Sequence, residues 1–295
     1  MSPTPQTAAP TPFGVRLRAA IDEHGPLCAG IDPHAALLEA WGLPDTVDGL
    51  ERFALTCVEA FGGAVACVKP QSAFFERFGS RGVAVLERTL EALREAGTLS
   101  LLDAKRGDIG TTMAGYAQAY LSDASPLRAD ALTVSPYLGY ESLRPALDLA
   151  AATGRGVFVL TLTSNPEGPS VQHAVRAGRT VAAAVVDGVA ADNAAARAAG
   201  ELGSIGTVVG ATVGSAVADL GLDLAGAGGP VLAPGLGAQG GTADGLRATF
   251  GDALALVLGN SSREVLRAGP QASALRAAAR AAAEALASGV ETHRG

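Results

Sequence analysis

The sequence is poor in aromatic residues, in lysine and in cysteine, and each shortage excludes a class of structure or function. Aromatic residues make up 4% of a chain that is 48% hydrophobic, so the core must be built from Ala, Val and Leu. The formal net charge is −7, and no cluster of Lys and Arg provides the positive surface that phosphate-backbone binding needs. We therefore expect an aliphatic globular protein without a nucleic-acid partner.

Cysteine and histidine also occur without the spacing of a metal site. The cysteines Cys28, Cys57 and Cys67 are odd in number, and each lies in an apolar segment, so we interpret them as reduced core residues. The four histidines show no paired spacing, which argues against a metal site and against a Ser-His-Asp arrangement. We expect no bound metal.

Long apolar runs are absent as well. No stretch is long enough to span a membrane, and residues 1–12 are rich in Pro, Thr and Ala but lack a basic start. We expect a cytoplasmic protein with no membrane partner, a disordered tail over 1–12 and a frayed tail over 288–295. Nothing resembles a linker between two cores, so residues 13–287 are expected to form a single catalytic domain.

Short apolar runs alternate with longer segments of helical period, which is typical of repeated βα units around a parallel sheet. The predicted strands cover residues 27–32, 64–69, 99–105, 131–135, 157–163, 207–212, 231–234 and 254–259. The predicted helices cover residues 16–24, 47–61, 82–96, 113–122, 141–152, 180–199, 215–220, 243–250 and 272–287. This pattern predicts an α/β fold of the TIM (β/α)8-barrel type, with an open doubly wound sheet as the alternative.

The two lysines of the chain, Lys69 and Lys105, both lie at predicted strand ends. In a (β/α)8 barrel, the chemistry is placed at the carboxyl ends of the strands. Arginine supplies every other positive side chain apart from histidine, and it is locked in its cationic form. An ammonium group can donate its proton when its surroundings tune it. Lys69 and Lys105 are therefore candidate catalytic groups, and the alternative is a pair of ordinary salt-bridged lysines.

Charge of both signs is concentrated around Lys105. Alternate residues of a strand share a face, so Asp103 and Lys105 are expected to point together into the barrel mouth. Asp108 lies on the following loop, close enough to approach the same pocket or that of a neighbouring chain. Together with Lys69, four charges of alternating sign would be held at the mouth. Burying them is costly unless they pair well, which favours a functional role over a structural one.

The pattern Asp-x-Lys-x-x-Asp-Ile at 103–109, with Thr112 four residues after the second Asp, resembles the signature of the orotidine 5'-phosphate decarboxylase family. The resemblance extends over nearly the whole predicted barrel and is closest to the longer-chain branch. It includes the segments Gly30-Ile31-Asp32-Pro33, Val68-Lys69-Pro70-Gln71 with Phe74, Thr163-Ser164-Asn165-Pro166, residues 233–241 and Ser262-Arg263. The chain departs from it at residues 260–262, which separate the glycine of the eighth strand from Arg263.

The resemblance implies decarboxylation of orotidine 5'-monophosphate to uridine 5'-monophosphate without metal or cofactor. It implies a catalytic tetrad formed by Lys69, Asp103, Lys105 and Asp108. Lys105 would be the proton donor, and Asp108 would be contributed by the partner subunit of a homodimer that shares its active sites.

The resemblance also implies a set of substrate contacts. Asp32 and Lys69 would hold ribose hydroxyls, Thr112 would reach the ribose of the partner's site, and Ser164 would bond the pyrimidine. Gln239 and Arg263 are the expected phosphate ligands, because an amide donor and a planar guanidinium fork suit a phosphate. The remaining candidate contacts are Ile109 and Pro234.

Three other functions stay open at this point. A magnesium-dependent sugar-phosphate enzyme of the keto-gulonate-phosphate decarboxylase or hexulose-phosphate synthase type shares Asp-x-Lys-x-x-Asp, but it carries a Glu metal ligand where this chain has Lys69. A Schiff-base aldolase that uses Lys105 is disfavoured, because flanking carboxylates would hold the amine protonated. A non-catalytic nucleotide-binding barrel would bind uridylate without turnover.

Overall fold

The computed structural model describes residues 9–236 and 243–291. The strands in these ranges are β1 (Leu27–Ile31), β2 (Cys67–Pro70), β3 (Leu99–Arg106), β4 (Ala131–Val134), β5 (Gly156–Leu162), β6 (Val175–Arg176), β7 (Arg179–Thr180), β8 (Ile205–Val209), β9 (Val231–Pro234) and β10 (Val257–Ser261). Eight of them form a closed barrel in the order β1-β10-β9-β8-β5-β4-β3-β2. Every pair in the barrel is parallel, whereas β6 and β7 form a separate antiparallel hairpin.

Helices follow or precede every barrel strand. The first group is α1 (Phe13–His24), α2 (Ala35–Ala40), α3 (Val47–Phe61), α4 (Ser72–Glu76), α5 (Gly79–Glu95), α6 (Gly110–Leu121), α7 (Arg144–Ala152) and α8 (Pro169–Gln172). The second group is α9 (Val181–Asp192), α10 (Ala194–Ala198), α11 (Ala216–Asp219), α12 (Leu224–Ala227), α13 (Ala243–Phe250), α14 (Arg263–Leu266) and α15 (Ala272–Glu291). Two 3-10 turns cover Tyr140–Leu143 and Gly251–Leu256. No helix in the described ranges is long and apolar enough to cross a membrane.

The barrel prediction is confirmed, and closure of the sheet excludes the open doubly wound alternative. All eight predicted strands are present, with ends that differ by a few residues. The predicted helix over 180–199 is wrong in one respect, because it breaks at Asn193 into α9 and α10. The buried side chain of Asn193 bonds both backbone groups of Ile205 and the carbonyl of Ala227, which ties the break to the next strand.

The two ends of the chain differ from the predicted tails where they are described. Residues 9–12 are exposed, but a Cβ on Gly154 would come within 3.0 Å of both Pro10 and Thr11, so this segment lies against the barrel. The last helix continues to Glu291, four residues beyond its predicted end, although fraying was expected from Ser288. The remaining residues of both predicted tails lie outside the described part of the chain.

An apolar cluster fills the barrel interior from the amino end upward. Phe13 and Leu17 of α1 are completely buried, and the ring of Phe13 meets that of Phe158 edge to face. Gly156 must be glycine here, since a Cβ would lie 2.4 Å from the Phe13 ring. The inward-facing strand residues of this cluster are Cys28, Cys67, Leu101, Ala131, Phe158, Val208, Leu232 and Leu258. All three cysteines of the chain are free and buried.

The next inward-facing positions along six of these strands lie two residues further on, since side chains alternate with a period of two. They are Gly30, Lys69, Asp103, Thr133, Pro234 and Asn260. Four of these six residues are polar, so the apolar interior is followed by a largely polar layer at the carboxyl ends of the strands, where the βα loops converge.

Candidate active site

A chain of alternating charges forms the centre of the polar layer. One carboxylate oxygen of Asp103 accepts a hydrogen bond from Nζ of Lys69 at 2.9 Å, and the other accepts one from Nζ of Lys105 at 2.5 Å. The side chains of Lys69 and Asp103 are only 4% and 9% exposed, whereas that of Lys105 is 43% exposed. The two ammonium groups therefore share one carboxylate, but only Lys105 is open to solvent.

Charge pairing governs the protonation of the buried partners. Burial alone would lower the pKa of Lys69, but the charges of Asp103 and Asp32 outweigh it and hold this pKa above its usual value. Burial would raise the pKa of Asp103, but the charges of Lys69 and Lys105 hold it well below its usual range. The site consequently contains a fixed ammonium and a fixed carboxylate.

Lys105 occupies an irregular part of β3. Three residues, 103–105, stand opposite the single residue Thr133 of β4, and Lys105 has a φ of +47°. This left-handed conformation costs an L residue about 1–2 kcal/mol. The hydroxyl of Thr133 accepts hydrogen bonds from the backbone N–H groups of Ala104 and Lys105, each at 3.0 Å, and donates to Asp103 at 2.9 Å. Thr133 thus links the backbone of the bulge to the carboxylate.

A cavity of about 170 Å³ lies beside this charge chain. The predicted site residues that line it are Asp32, Lys69, Asp103, Pro234 and Arg263. One carboxylate oxygen of Asp32 is buried and has no hydrogen-bond partner among the residues that the structure describes. A buried carboxylate oxygen without a partner is costly, so its natural partner is a ligand that brings a hydroxyl donor.

The opposite wall of the cavity is formed by the ends of β9 and β10. Strand β10 runs two residues beyond its predicted end, and Asn260 donates to the backbone carbonyl of Cys28 at 2.9 Å. Ser262 packs so closely on β1 that a Cβ on Gly30 would lie 1.8 Å from its hydroxyl. Residues 260–261 are thus strand residues, and Arg263 follows at the cavity edge. The predicted phosphate ligand Gln239 lies outside the described residues.

Ser164 follows β5 and is exposed, outside the described lining of the cavity. The residue before it, Thr163, is held by Gln172 of α8. The carboxamide of Gln172 accepts from the Thr163 N–H at 2.9 Å and donates to the Thr163 hydroxyl at 2.7 Å. The segment that carries Ser164 is therefore anchored at its base.

Several predicted site residues do not reach the cavity within this chain. Ile109 is 62% exposed, Thr112 is exposed, and the carboxylate of Asp108 accepts a hydrogen bond from the N–H of Ile109. Arg106 does not line the cavity either. It is the outward-facing neighbour of Lys105, and its guanidinium pairs with Glu76 outside the barrel.

Thr133, Asn260 and Gln71 belong to the site although the sequence did not single them out as site residues. Gln71 accepts a hydrogen bond from Nζ of Lys69 at 3.3 Å. Two signals could have found the first two: each lies two residues after an inward-facing apolar residue, and each is the penultimate residue of a barrel strand. Applying the period of two to every strand, and not only to the charged ones, would have selected them.

Two larger cavities, of about 540 and 450 Å³, lie at the amino end of the barrel. The larger one is lined by residues of α1 and of the turns before β8, β9 and β10. That end of a (β/α)8 barrel serves stability, and neither cavity contains a buried charge chain. Among the described residues, no group of three or more His, Cys, Asp or Glu is placed to hold a metal ion. The polar cavity at the carboxyl end is the candidate active site.

The closed parallel barrel and the charged layer at its carboxyl end define a (β/α)8-barrel protein with an enzyme-type site. Residues 25–278 match the Orotidine 5'-phosphate decarboxylase / HUMPS family. The chain therefore belongs to this family.

Individual relatives agree with this family assignment. The chain is 63% identical over 268 residues to an orotidine 5'-phosphate decarboxylase of Salinispora arenicola, covering 90% of this chain and 94% of the relative. It is 61% identical over 270 residues to one of Streptomyces coelicolor, covering 91% and 94%. The solved structure of the Leishmania donovani OMP decarboxylase has a TM-score of 0.76 at 30% identity, covering 95% of this chain and 98% of that one.

Proposed function

We propose that this chain decarboxylates orotidine 5'-monophosphate to uridine 5'-monophosphate. The observation that carries the proposal is the Lys69–Asp103–Lys105 charge chain, with Lys105 as its solvent-accessible ammonium. The proposal is supported by relatives at 61–63% identity that are named for this reaction. A small-molecule substrate also suits a polar cavity at the mouth of a barrel.

The chemical problem is a carbanion. When the bond from C6 of the pyrimidine to the carboxylate breaks, the electron pair remains on C6 and carbon dioxide leaves. An ammonium aimed at C6 stabilises the developing negative charge and then transfers its proton to C6. Lys105 takes this role because its Nζ is held 2.5 Å from Asp103 and is still accessible.

Asp103 and Lys69 keep the donor oriented. The pKa of Asp103 is held well below its usual range by the two lysines, so it stays a carboxylate that aligns Lys105. Lys69 has a second role beside Asp32, whose buried oxygen has no partner in the described part of the chain. This pair of groups is the proposed contact for ribose hydroxyls, which can donate to Asp32 and accept from Lys69.

The phosphate is proposed to bind at Arg263 and Gln239. Arg263 stands at the end of the cavity that is lined by Pro234, Asn260 and Ser262. A guanidinium fork can bond two phosphate oxygens at once. Contacts to this remote group would supply binding energy for organising the reacting end, where Ser164 would bond the pyrimidine.

A homodimer with shared active sites is the proposed assembly. Ile109, Tyr137 and Leu138 are large apolar residues that are 62%, 79% and 52% exposed. They lie on the adjacent loops after β3 and β4, which are joined by a hydrogen bond from the Ser135 N–H to the Arg106 carbonyl. Exposed apolar clusters mark interfaces. Such an interface would carry Asp108 and Thr112 of one subunit to the site of its partner, and Ile109 would contact the same substrate.

The test is direct. Purified protein is incubated with orotidine 5'-monophosphate while its ultraviolet absorbance is followed, with and without exhaustive chelation. We expect turnover that chelation leaves unchanged, because the protein supplies every cationic group that the proposed reaction uses. Loss of turnover on chelation and its return with magnesium would favour the sugar-phosphate enzymes instead. Uridylate binding without turnover would favour a non-catalytic barrel.

A cytoplasmic location is part of the proposal. The three cysteines are free and buried, as expected in a reducing compartment.

A further inference from the structure

Arg106 is fixed outside the barrel directly behind Lys105. Its Nη1 donates to the carbonyl of Ala104 at 3.2 Å, so the side chain folds back over the irregular segment of β3. Its Nε and Nη2 donate to the hydroxyl of Tyr120 at 3.3 and 3.2 Å, and Nη2 also pairs with Glu76. One side chain therefore connects the bulge to α4 and α6.

Its partners are themselves held in place. Glu76 accepts a second hydrogen bond, from Ser72 at 2.7 Å. The guanidinium carbon of Arg106 lies 5.7 Å from the ring centroids of both Tyr116 and Tyr120. The guanidinium is thus bound in a small cage that packs on the apolar outer surface of the barrel.

The backbone inside this cage is the part of β3 that is unfavourable on its own. Lys105 has a φ of +47°, which L residues seldom adopt and which persists only where the surroundings impose it. Thr133 holds the bulge from β4 through the N–H groups of Ala104 and Lys105. Arg106 holds the same segment from the other side, through the Ala104 carbonyl.

We propose that Arg106 is a positioning residue that fixes the bulge from outside the barrel and thereby aims Nζ of Lys105. It touches neither the substrate nor the reacting atoms. The inference rests on the proposed decarboxylation, since that reaction gives the direction of Lys105 its importance. Misplacement of a catalytic group by about 1 Å lowers a rate by about a hundredfold.

The chain provides a matched control. Arg155 likewise combines hydrogen bonds with an ion pair: it donates to the backbone carbonyls of Ala129 and Leu121, both at 3.1 Å, and pairs with Asp123 at 2.7 Å. Its side chain is 12% exposed, against 25% for Arg106. It belongs to the turn before β5, at the opposite end of the barrel. Removing either guanidinium should affect folding similarly, but only one of them contacts the bulge.

The experiment compares Arg106→Met, Arg106→Lys and Arg155→Met with the unmodified protein. For Arg106→Met we expect kcat to fall about ten- to a hundredfold, while the Kd of uridine monophosphate changes less than about threefold. The kcat of Arg106→Lys should lie between those of the unmodified protein and Arg106→Met, since an ammonium keeps the charge but lacks the planar fork that reaches all three partners. Arg155→Met should lower the unfolding temperature and leave kcat per folded molecule unchanged.

A second measurement reports on the lysine itself. Exchange of the C6 proton of uridine monophosphate for solvent deuterium requires the same proton transfer, and it should slow in Arg106→Met by the same factor as kcat. If Arg106→Met does not fold, Tyr120→Phe and Glu76→Gln each remove one contact and should lower kcat in the same direction. The inference would be overturned if folded Arg106→Met showed unchanged kcat and an unchanged rate of C6 proton exchange. If Arg106→Met does not fold, the same result in both Tyr120→Phe and Glu76→Gln would overturn it. No turnover by the unmodified protein would instead refute the proposed function.

Discussion

Replacing Thr133 by Val tests whether one hydroxyl holds the catalytic bulge. The two side chains have nearly the same shape, so the change removes hydrogen bonds with little change in packing. Three are lost: two from the backbone N–H groups of Ala104 and Lys105, and one to Asp103. Thr133 is only 1% exposed, so water is not positioned to replace the lost hydroxyl.

The loss of stability expected for Thr133→Val follows from these contacts. A buried polar group left without its partner costs about 1–3 kcal/mol, and Asp103 keeps both lysines as partners. We therefore expect a loss of about 2–4 kcal/mol in the free energy of unfolding. At about 2–4 °C per kcal/mol for a large domain, the melting temperature should fall by roughly 5–15 °C. Because Lys105 loses its backbone anchor, kcat should fall about tenfold or more.

Thr207 provides the control. It is 2% exposed on β8, and its hydroxyl is buried without a hydrogen-bond partner among the described residues. Thr207→Val should be neutral or stabilising by up to about 1 kcal/mol, because it removes a buried hydroxyl whose desolvation is not offset by a hydrogen bond. The assays are thermal unfolding and steady-state decarboxylation. If both valine variants melt and turn over alike, the Thr133 hydroxyl does not hold the bulge.

Three further predictions concern the charged groups. Lys105→Ala should abolish nearly all turnover and leave binding of uridine monophosphate measurable by calorimetry, since the proposed phosphate site lies elsewhere; loss of binding and turnover together would contradict this separation. Arg263→Ala should weaken binding of the phosphorylated substrate and scarcely affect a nucleoside without the phosphate, and equal losses for both would remove Arg263 from the phosphate site. Lys105→Ala and Asp108→Ala, unfolded together and reassembled, should recover roughly a quarter of wild-type activity, because about half of the dimers are mixed and each has one intact site. Activity that stays at the level of the parents, with mixed dimers shown to form, would place Asp108 in its own chain's site.

The barrel was predictable because its strands bury both faces. Residues such as 157–160 form continuous apolar runs that end where polar residues begin, and parallel strands of this kind need helices between them. The same period of two places Lys69 and Asp103 in one layer, because each follows an inward-facing residue, Cys67 and Leu101, by two positions. These features depend on local periodicity alone.

The bulge could not be predicted, because it depends on a mismatch between two strands. Three residues of β3 stand opposite one residue of β4. This mismatch goes together with the two hydrogen bonds that the Thr133 hydroxyl accepts from the backbone N–H groups of Ala104 and Lys105. The outward direction of Arg106 followed from the same alternation that selected Asp103 and Lys105.

The unequal burial of the two lysines separates their roles in the proposed reaction. Lys69 is 4% exposed and its pKa is held above the usual value, so it is a fixed charge that keeps Asp103 ionised. Lys105 shares the same carboxylate but is 43% exposed, so it can give its proton to a substrate and recover one from water. An arginine in place of Lys105 could form the ion pair with Asp103 but could not transfer the proton. The proposed proton transfer therefore accounts for a lysine at position 105 of this arginine-rich chain.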